Sequence, residues 1–353
     1  MFRGVVSARA LLNSVDIKGC LRACTNNVGA SLGRPAGHPF TADTHSSPTI
    51  GQIIEQWSHR FENEGIPEPV ESIEHIVAHV LGTSKIIDLV NVAGKQLTEN
   101  QATQLESLCE CRLSRMPVQY IIGEWDFRDI TLKLVPPVFI PRPETEILVD
   151  FVLKRLQALH RDKYEILEIG CGSGAISLAI AHSCDKVKCV AIDTNVHACD
   201  LTKENRDNLG LQDQITIAHA TLKEDGTIDT SATLNGSENI DLNSTKFDLI
   251  VSNPPYVSTK QISKLQAEIT IYEDLRALDG GDDGLKIIKP LLKYAAIALK
   301  PGGRLLLEVD PSHPEYIIFF TKKYPILKLQ FEHTYKDFCN KDRFVEKNED
   351  KVK

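Results

Sequence analysis

Residues 165–181 read EILEIGCGSGAISLAIA, and a change of texture at their centre decides the fold. Residues 165–169 are an apolar run of strand length; Gly170, Gly172 and Gly174 follow in a short loop; the small and branched apolar residues of 175–181 then continue as a helix. Glycines at a strand-to-helix junction permit a tight turn and a close approach of backbone to a nucleotide-like ligand. Downstream the alternation repeats, with strands expected at 188–192, 215–218, 247–252 and 304–309, helices at 197–208 and 284–299, and a final stranded stretch around 327–345. This pattern predicts an α/β domain built on a mostly parallel, doubly wound sheet. Ligands in such sheets bind beyond the carboxyl ends of the strands, where strand order reverses.

Working outward, the segment 223–246 is polar and aperiodic, and is expected to be a mobile surface insertion. Upstream, 117–143 is rich in β-branched, aromatic and proline residues, which suits a hairpin linker ahead of a main domain at 144–347. From 49 to 116 apolar residues recur at helical spacing, as at Ile73, Ile76, Val77, Val80 and Leu81, with breaks at Gly65-Ile66-Pro67 and Gly94. A small all-helical domain therefore precedes the α/β domain, and 353 residues are ample for both.

Charge divides the chain unevenly. Residues 1–47 carry Arg3, Arg9, Lys18, Arg22 and Arg34 against Asp16 and Asp43, a net +3, which leaves −11 for the remainder of a chain whose formal charge is −8. Arginines spaced through Ala, Val, Leu and Ser with few acids are the composition of a mitochondrial transit peptide, so 1–48 are set aside as a transit peptide or disordered tail and the matrix is the expected location. An acidic body is poorly suited to binding a phosphate backbone, so direct contact with nucleic acid is not expected. No apolar run approaches the ~18 residues of a membrane span. The nine cysteines form no C-x-x-C pair, and His75 and His79 lack a third ligand, so no metal is expected.

Three constellations carry chemistry. In the first, Glu168, Gly170, Cys171, Gly172 and Gly174 are candidate cofactor contacts; Gly170, Gly172 and Ala175 also satisfy a dinucleotide fingerprint, but an acid two residues before the first glycine tilts the reading toward S-adenosylmethionine. The second is Asp193, nineteen residues after Gly174 at the tip of the next strand, where a carboxylate can accept hydrogen bonds from both ribose hydroxyls. The third, Asn253-Pro254-Pro255-Tyr256, directly follows the apolar strand 247–252. A planar amide or aromatic amine nitrogen is a weak nucleophile, so catalysis must come from holding it in line with an electrophilic methyl group. The Asn253 side-chain oxygen and the Pro254 carbonyl can each accept one N–H of an NH2 group and favour the positive charge that develops on it. Tyr256 supplies a flat wall, and the prolines stiffen the loop.

With these residues in place the chain resembles the HemK/PrmC family of release-factor glutamine N5-methyltransferases, and most resembles its mitochondrial animal members. The resemblance spans about 50–345 and rests on Pro117-Val118-Gln119-Tyr120-Ile121-Ile122-Gly123 with Phe127, Ile140-Pro141-Arg142-Pro143-Glu144-Thr145-Glu146, the glycine loop, Asp193 and Asn253-Pro254-Pro255-Tyr256. Tyr272-Glu273 and the run from Ala277-Leu278-Asp279-Gly280-Gly281 to Asp283-Gly284-Leu285 are also similar. The Asn-Pro-Pro-Tyr loop is shared with adenine N6-methyltransferases, so 142–146 gives the assignment its specificity. The resemblance implies a seven-stranded, class I Rossmann-like domain, S-adenosyl-L-methionine as cofactor, and methylation of the glutamine in the Gly-Gly-Gln loop of mitochondrial peptide-chain release factors. It also implies that Asn253, Pro254, Pro255, Tyr256, Arg142 and Glu144 contact the substrate and that the helical domain grips the release factor. A monomer that does not engage a membrane is expected. Where bacterial relatives carry Asp-Trp beside the adenine, this chain reads His219-Ala220-Thr221-Leu222. The competing readings are an adenine N6-methyltransferase on nucleic acid and a non-catalytic adaptor that binds release factor or ribosome.

Overall fold

The computed structural model describes residues 47–83, 85–233 and 240–349, so residues 1–46 of the expected transit peptide lie outside the described residues. The chain divides into two units between Gly123 and Glu124. The first is helical: α1 (Ile50–Asn63), α2 (Pro69–Leu81), α3 (Glu99–Leu113) and α4 (Val118–Ile122). Thr49 with Gln52 and Thr98 with Gln101 form capping boxes that satisfy the first amides of α1 and α3. Pro69 opens α2 and Gly82 closes it in the left-handed conformation. The expected apolar stripe is buried, with Ile73, Ile76 and Val77 at 0% exposure. Cys109 and Cys111 are buried on α3, and His75 and His79 are half-buried on α2. Among the described residues no three His, Cys, Asp or Glu side chains converge as a metal would require.

The segment 117–143, expected as one hairpin linker, is split by the structure. Residues 118–122 form α4, whose Tyr120 and Ile121 are buried and which ends at Gly123 in the left-handed region, so they extend the helical unit. The hairpin itself, β1 (Glu124–Phe127) with β2 (Ile130–Lys133), belongs to the second unit.

In that second unit the chain continues through α5 (Pro143–Leu159), β3 (Tyr164–Ile169), α6 (Ala175–Ser183), β4 (Val187–Asp193), α7 (Val196–Leu209), β5 (Ile215–Leu222), β6 (Ile228–Thr233) and β7 (Phe247–Ser252). It ends with α8 (Thr259–Ile262), α9 (Ala267–Tyr272), α10 (Ile288–Ala298), β8 (Leu299–Glu308), α11 (His313–Lys323), β9 (Leu329–Lys336) and β10 (Asp342–Glu349). The sheet order is β6-β5-β4-β3-β7-β8-β10-β9. Strands β5, β4, β3, β7 and β8 run parallel, and β6, β10 and β9 are antiparallel to their neighbours. The strand order reverses beside β3, where chain succession runs one way to β4 and β5 and the other way to β7 and β8. Because Ile169 pairs with Ile192 and Glu168 with Val251, the residues leaving β3, β4 and β7 emerge together at one edge. Central strands are buried on both faces: Ile166, Leu249 and Val251 join the core under α5 and α6, while Leu167 and Ile250 join the one under α10.

The structure corrects the reading of 223–246 as a loop throughout and of the sheet as seven-stranded. Residues 228–233 form β6, paired antiparallel with a β5 that runs on to Leu222, so the sheet has eight strands. Farther along the segment Leu242 is 1% exposed, and its carbonyl accepts from the buried Tyr294 hydroxyl at 2.7 Å. The Asn243 side chain closes the returning chain onto both backbone groups of Ile228, at 2.9 and 2.8 Å. These few apolar and amide anchors are too widely spaced to show a period, and an open β5 edge supplies the backbone partners that local sequence cannot announce. Residues 234–239 of the segment lie outside the described residues.

Candidate active site

The loop between β3 and α6 is latched to the end of β4. Gly170 and Cys171 each donate their amide to the Ile192 carbonyl, at 2.8 and 3.0 Å, and Gly172 donates to Asp193 Oδ2 at 3.0 Å. From α7, Thr202 Oγ1 donates to the Gly172 carbonyl at 3.0 Å and Asn205 Nδ2 to the Ser173 carbonyl at 2.9 Å. Gly174 opens α6 at φ 85°, and a Cβ there would stand 2.7 Å from Leu178 Cδ1 and 2.9 Å from Thr202 Cγ2, so conformation and packing both demand glycine. A Cβ on Gly170 or Gly172 would meet nothing within 4 Å, which leaves that side of the loop open to a ligand.

Gly170 and Gly172 border a cavity of about 210 Å³ that also takes in Asp193, Ser252, Asn253 and Tyr256. Burial raises the Asp193 carboxyl above the usual range, while the amides of Asn195 and Gly172 and others pull it back down. With Asn195 N–H at 2.8 Å on Oδ1 and Gly172 N–H at 3.0 Å on Oδ2, each carboxylate oxygen retains a lone pair for a further donor. The same cavity is lined by the apolar side chains of Val138, Ala198, Ala220, Leu222, Leu278 and Ile287, which can cover a heterocycle. Ala220 and Leu222 belong to the His219-Ala220-Thr221-Leu222 stretch of the sequence.

At the other end of the cavity, Asn253, Pro254, Pro255 and Tyr256 all contribute to the wall. Asn253 Nδ2 donates to Thr145 Oγ1 at 3.2 Å, while its Oδ1 and the Pro254 carbonyl make no hydrogen bond among the described residues. Thr145 Oγ1 donates to Glu308 Oε2 at 2.8 Å, and the Tyr256 hydroxyl donates to Glu308 Oε1 at 3.0 Å. Burial raises both the Glu308 carboxyl and the Tyr256 phenol above their ordinary values. Thr145 and Glu308 were not singled out in the sequence. Glu308, like Glu168, is an acid at the carboxyl end of an apolar strand, Leu305-Leu306-Leu307-Glu308 beside Ile166-Leu167-Glu168-Ile169, but it has no glycine loop after it to draw attention to it.

Several expected contacts lie elsewhere. Glu168 is 0% exposed and does not reach the cavity; its Oε2 accepts from Ser177 N in the first turn of α6 at 3.0 Å, where the helix dipole favours an acid. Cys171 is buried beneath the loop, and Gly174 caps α6, so the loop presents Gly170 and Gly172 alone to the cavity. Arg142 is spent on the buried Glu273, Nη2 to Oε1 at 2.7 Å, and lies 4.6 Å from the Phe139 ring centroid; of that pair it is Phe139 that lines the cavity. Glu144 is half-buried in the first turn of α5 and does not line the cavity, although its charge acts on Tyr256 and Glu308. Asn195 and Asp274 are cavity residues that went unread: Asn195 Nδ2 donates to Asp274 Oδ2 at 2.9 Å, and nothing in their local sequence announces that pairing across 79 positions.

Residues 52–123 match the PrmC N-terminal domain and 143–284 the methyltransferase small domain. The human MTRF1L release factor glutamine methyltransferase is 42% identical over 324 residues, covering 89% of this chain and 93% of its own length. The chain belongs to the release factor glutamine methyltransferase family. Other members include the release factor glutamine methyltransferase of Thermodesulfovibrio yellowstonii, 35% identical over 70% of this chain and 82% of its own, and that of Caulobacter vibrioides, 31% identical over 83% and 95%. A solved methyltransferase structure from Pyrococcus furiosus overlays with a TM-score of 0.40 at 16% identity, covering 62% of this chain and 88% of that one.

The cofactor of this methyltransferase is S-adenosylmethionine, and the residues present fit it. Asp193 has acceptor capacity for a diol, the apolar lining that includes Ala198, Ala220 and Leu222 suits a heterocycle, and the open side of Gly170 and Gly172 lets a ligand approach the backbone in the cavity that Asn253 also lines. Among the described residues no helix is long and apolar enough to cross a membrane.

Proposed function

We propose that this chain methylates the side-chain amide nitrogen of the glutamine in the Gly-Gly-Gln loop of mitochondrial peptide-chain release factors, in the matrix, with Asn253 as the residue that holds the reacting group. The observation that carries the reading is the polarity of Asn253: its NH2 is directed to Thr145 by one hydrogen bond, while Oδ1 remains as an acceptor at a cavity that also holds Asp193. A glutamine amide offers two N–H donors, and an Asn oxygen together with the Pro254 carbonyl can take both. Held in this way, the nitrogen keeps a fixed orientation, and acceptors aimed at its hydrogens stabilise the positive charge that grows on it as a bond to carbon forms. Tyr256, anchored through its hydroxyl to Glu308, presents its ring as one wall of the cavity. The chemistry that S-adenosylmethionine supplies when bound is an electrophilic methyl group. Asp193 would hold its ribose, and Gly170 and Gly172 would let the backbone lie close against it. No side chain has to remove a proton before attack, since the amide becomes acidic only once its nitrogen is alkylated.

The composition of residues 1–47 supports matrix import, and the names of the relatives support a release-factor substrate. The direct test incubates the protein with labelled S-adenosylmethionine and a mitochondrial release factor and maps the label by peptide mass spectrometry. A methyl group on the Gly-Gly-Gln glutamine, lost with Asn253→Ala, is the expected result. Label that appears only on added nucleic acid would refute the proposal and move the activity to adenine.

A further inference from the structure

We infer that Glu308 is a positioning residue for methyl transfer: acting through Thr145, it sets which end of the Asn253 amide faces the substrate. The inference rests on the glutamine reading above and adds to it a residue outside the loop. Glu308 ends β8, is 1% exposed, and among the described residues has no cation within ion-pair distance. Arg343, a basic group whose charge acts on it, directs its Nε to Asp337 Oδ2 at 3.2 Å and its Nη1 to the Val309 carbonyl at 3.5 Å. A buried carboxylate without a paired cation is costly, and a buried glutamine of the same shape would cost less. What the carboxylate offers in return is direction, because it can only accept hydrogen bonds.

The direction propagates. Thr145 has one hydroxyl hydrogen, and with Glu308 Oε2 at 2.8 Å that hydrogen is committed to the carboxylate. Its oxygen then has only lone pairs to offer, so the Asn253 group at 3.2 Å must be a donor, Nδ2. The amide is planar with its oxygen and nitrogen on opposite sides, and Oδ1 is thereby turned away from α5. Left to itself an asparagine amide could occupy the same space reversed, since the two ends are nearly isosteric. Reversed, it would set an NH2 against the substrate's own NH2, donor against donor, and the nitrogen would not be held. The other carboxylate oxygen fixes the far end of the loop by taking the Tyr256 hydroxyl at 3.0 Å, so one buried group sets both Asn253 and Tyr256.

Three variants of the full-length protein, Thr145→Val, Thr145→Ser and Glu308→Gln, test this by release-factor methylation kinetics and by calorimetric binding of S-adenosylmethionine. Thr145→Val keeps the shape and removes the hydroxyl; kcat should fall by about 10- to 100-fold, with cofactor Kd and release-factor KM within about threefold of the parent. Thr145→Ser restores the hydroxyl and should restore kcat to within about threefold. In Glu308→Gln, an amide that turns its NH2 toward Thr145 lets that hydroxyl donate to Asn253 instead, so kcat should fall as in Thr145→Val. A merely structural role predicts that all variants lose thermal stability and cofactor affinity together and that serine does not rescue. Full kcat in Thr145→Val, or no rescue by Thr145→Ser, overturns the inference. Should the parent protein fail to methylate release factor, the glutamine reading fails separately, and the nitrogen-15 resonance of the Asn253 side-chain NH2, assigned by its loss in Asn253→Asp, still decides the network. That resonance must shift in Thr145→Val and return in Thr145→Ser; an unmoved signal overturns the inference.

Discussion

Replacing Glu168 with glutamine should change how stability depends on pH, and the size of the effect follows from the carboxyl's surroundings. Glu168 is fully buried between β3 and α6, where burial lifts its pKa from an ordinary 4.5 to about 8; the Ser177 contact opposes this, and the Asp193 charge adds to it. Its Oε2 accepts from Ser177 N at 3.0 Å, while Oε1 has no hydrogen-bond partner among the described residues. An acid whose folded pKa lies above its unfolded value gives up its proton more readily in the unfolded chain, so its contribution to folding worsens as pH rises from about 4.5 to about 8. Each unit in that window is worth about 1.4 kcal/mol, so between pH 5 and pH 8 the loss is roughly 3 kcal/mol. Glutamine does not titrate. Whatever fixed cost its extra N–H incurs, the stability difference between Glu168→Gln and the parent should move in favour of the variant by roughly 3 kcal/mol across that range. Urea denaturation of both proteins at pH 5, 6, 7 and 8 reads this as two lines of different slope. Parallel lines would mean that the carboxylate is satisfied in the folded protein and would refute the reasoning.

Three further outcomes can be checked. Asp193→Ala should weaken cofactor binding by roughly 1.5–3 kcal/mol through lost charge-assisted hydrogen bonds and leave two loop amides without their acceptor; an unchanged calorimetric Kd would remove Asp193 from the cofactor site. Lys347 is buried at 0% exposure with Nζ donating to Thr321 Oγ1 at 2.7 Å, and burial, with the Lys322 charge adding to it, lowers its pKa from 10.5 to about 8. A lysine so shifted penalises folding below about pH 8 and ceases to do so as pH rises through its unfolded value, so Lys347→Met should stabilise the protein at pH 7 by about 2 kcal/mol and lose that advantage above pH ~10.5. Thr321 keeps its carbonyl acceptors at Ile317 and Ile318 in that variant, and a lower melting temperature at pH 7 would contradict the expectation. Gly284→Ala would drive a Cβ into the Tyr256 carbonyl and the His313 ring at a residue with φ 71°, so we expect about 2 kcal/mol of destabilisation and a fall in turnover; parental turnover would show that the loop tolerates displacement.

The sequence by itself determined what depends on neighbours along the chain. The alternation of strand-sized and helix-sized apolar runs placed β3, α6, β4, α7 and β7 within a residue or two of their observed ends, because each element buries a face whose period is written locally. That Gly170, Gly172, Asp193 and Asn253 would border one cavity was legible for a related reason: the residues leaving adjacent strands at the point where strand order reverses face a common crevice. The tertiary structure alone decided the rest, where the partner lies far along the chain. Glu168 and Glu308 both follow apolar runs in strands, yet one faces an α6 amide and the other two hydroxyls from α5 and the Asn253 loop, a difference set by the strand each belongs to. Arg142 carries the charge expected of a substrate contact but is claimed by Glu273, 131 positions away, since a buried carboxylate takes the nearest cation. The pairing of β6 with β5 was likewise invisible, because backbone amides carry no side-chain signature and an edge strand is selected by the open edge it meets.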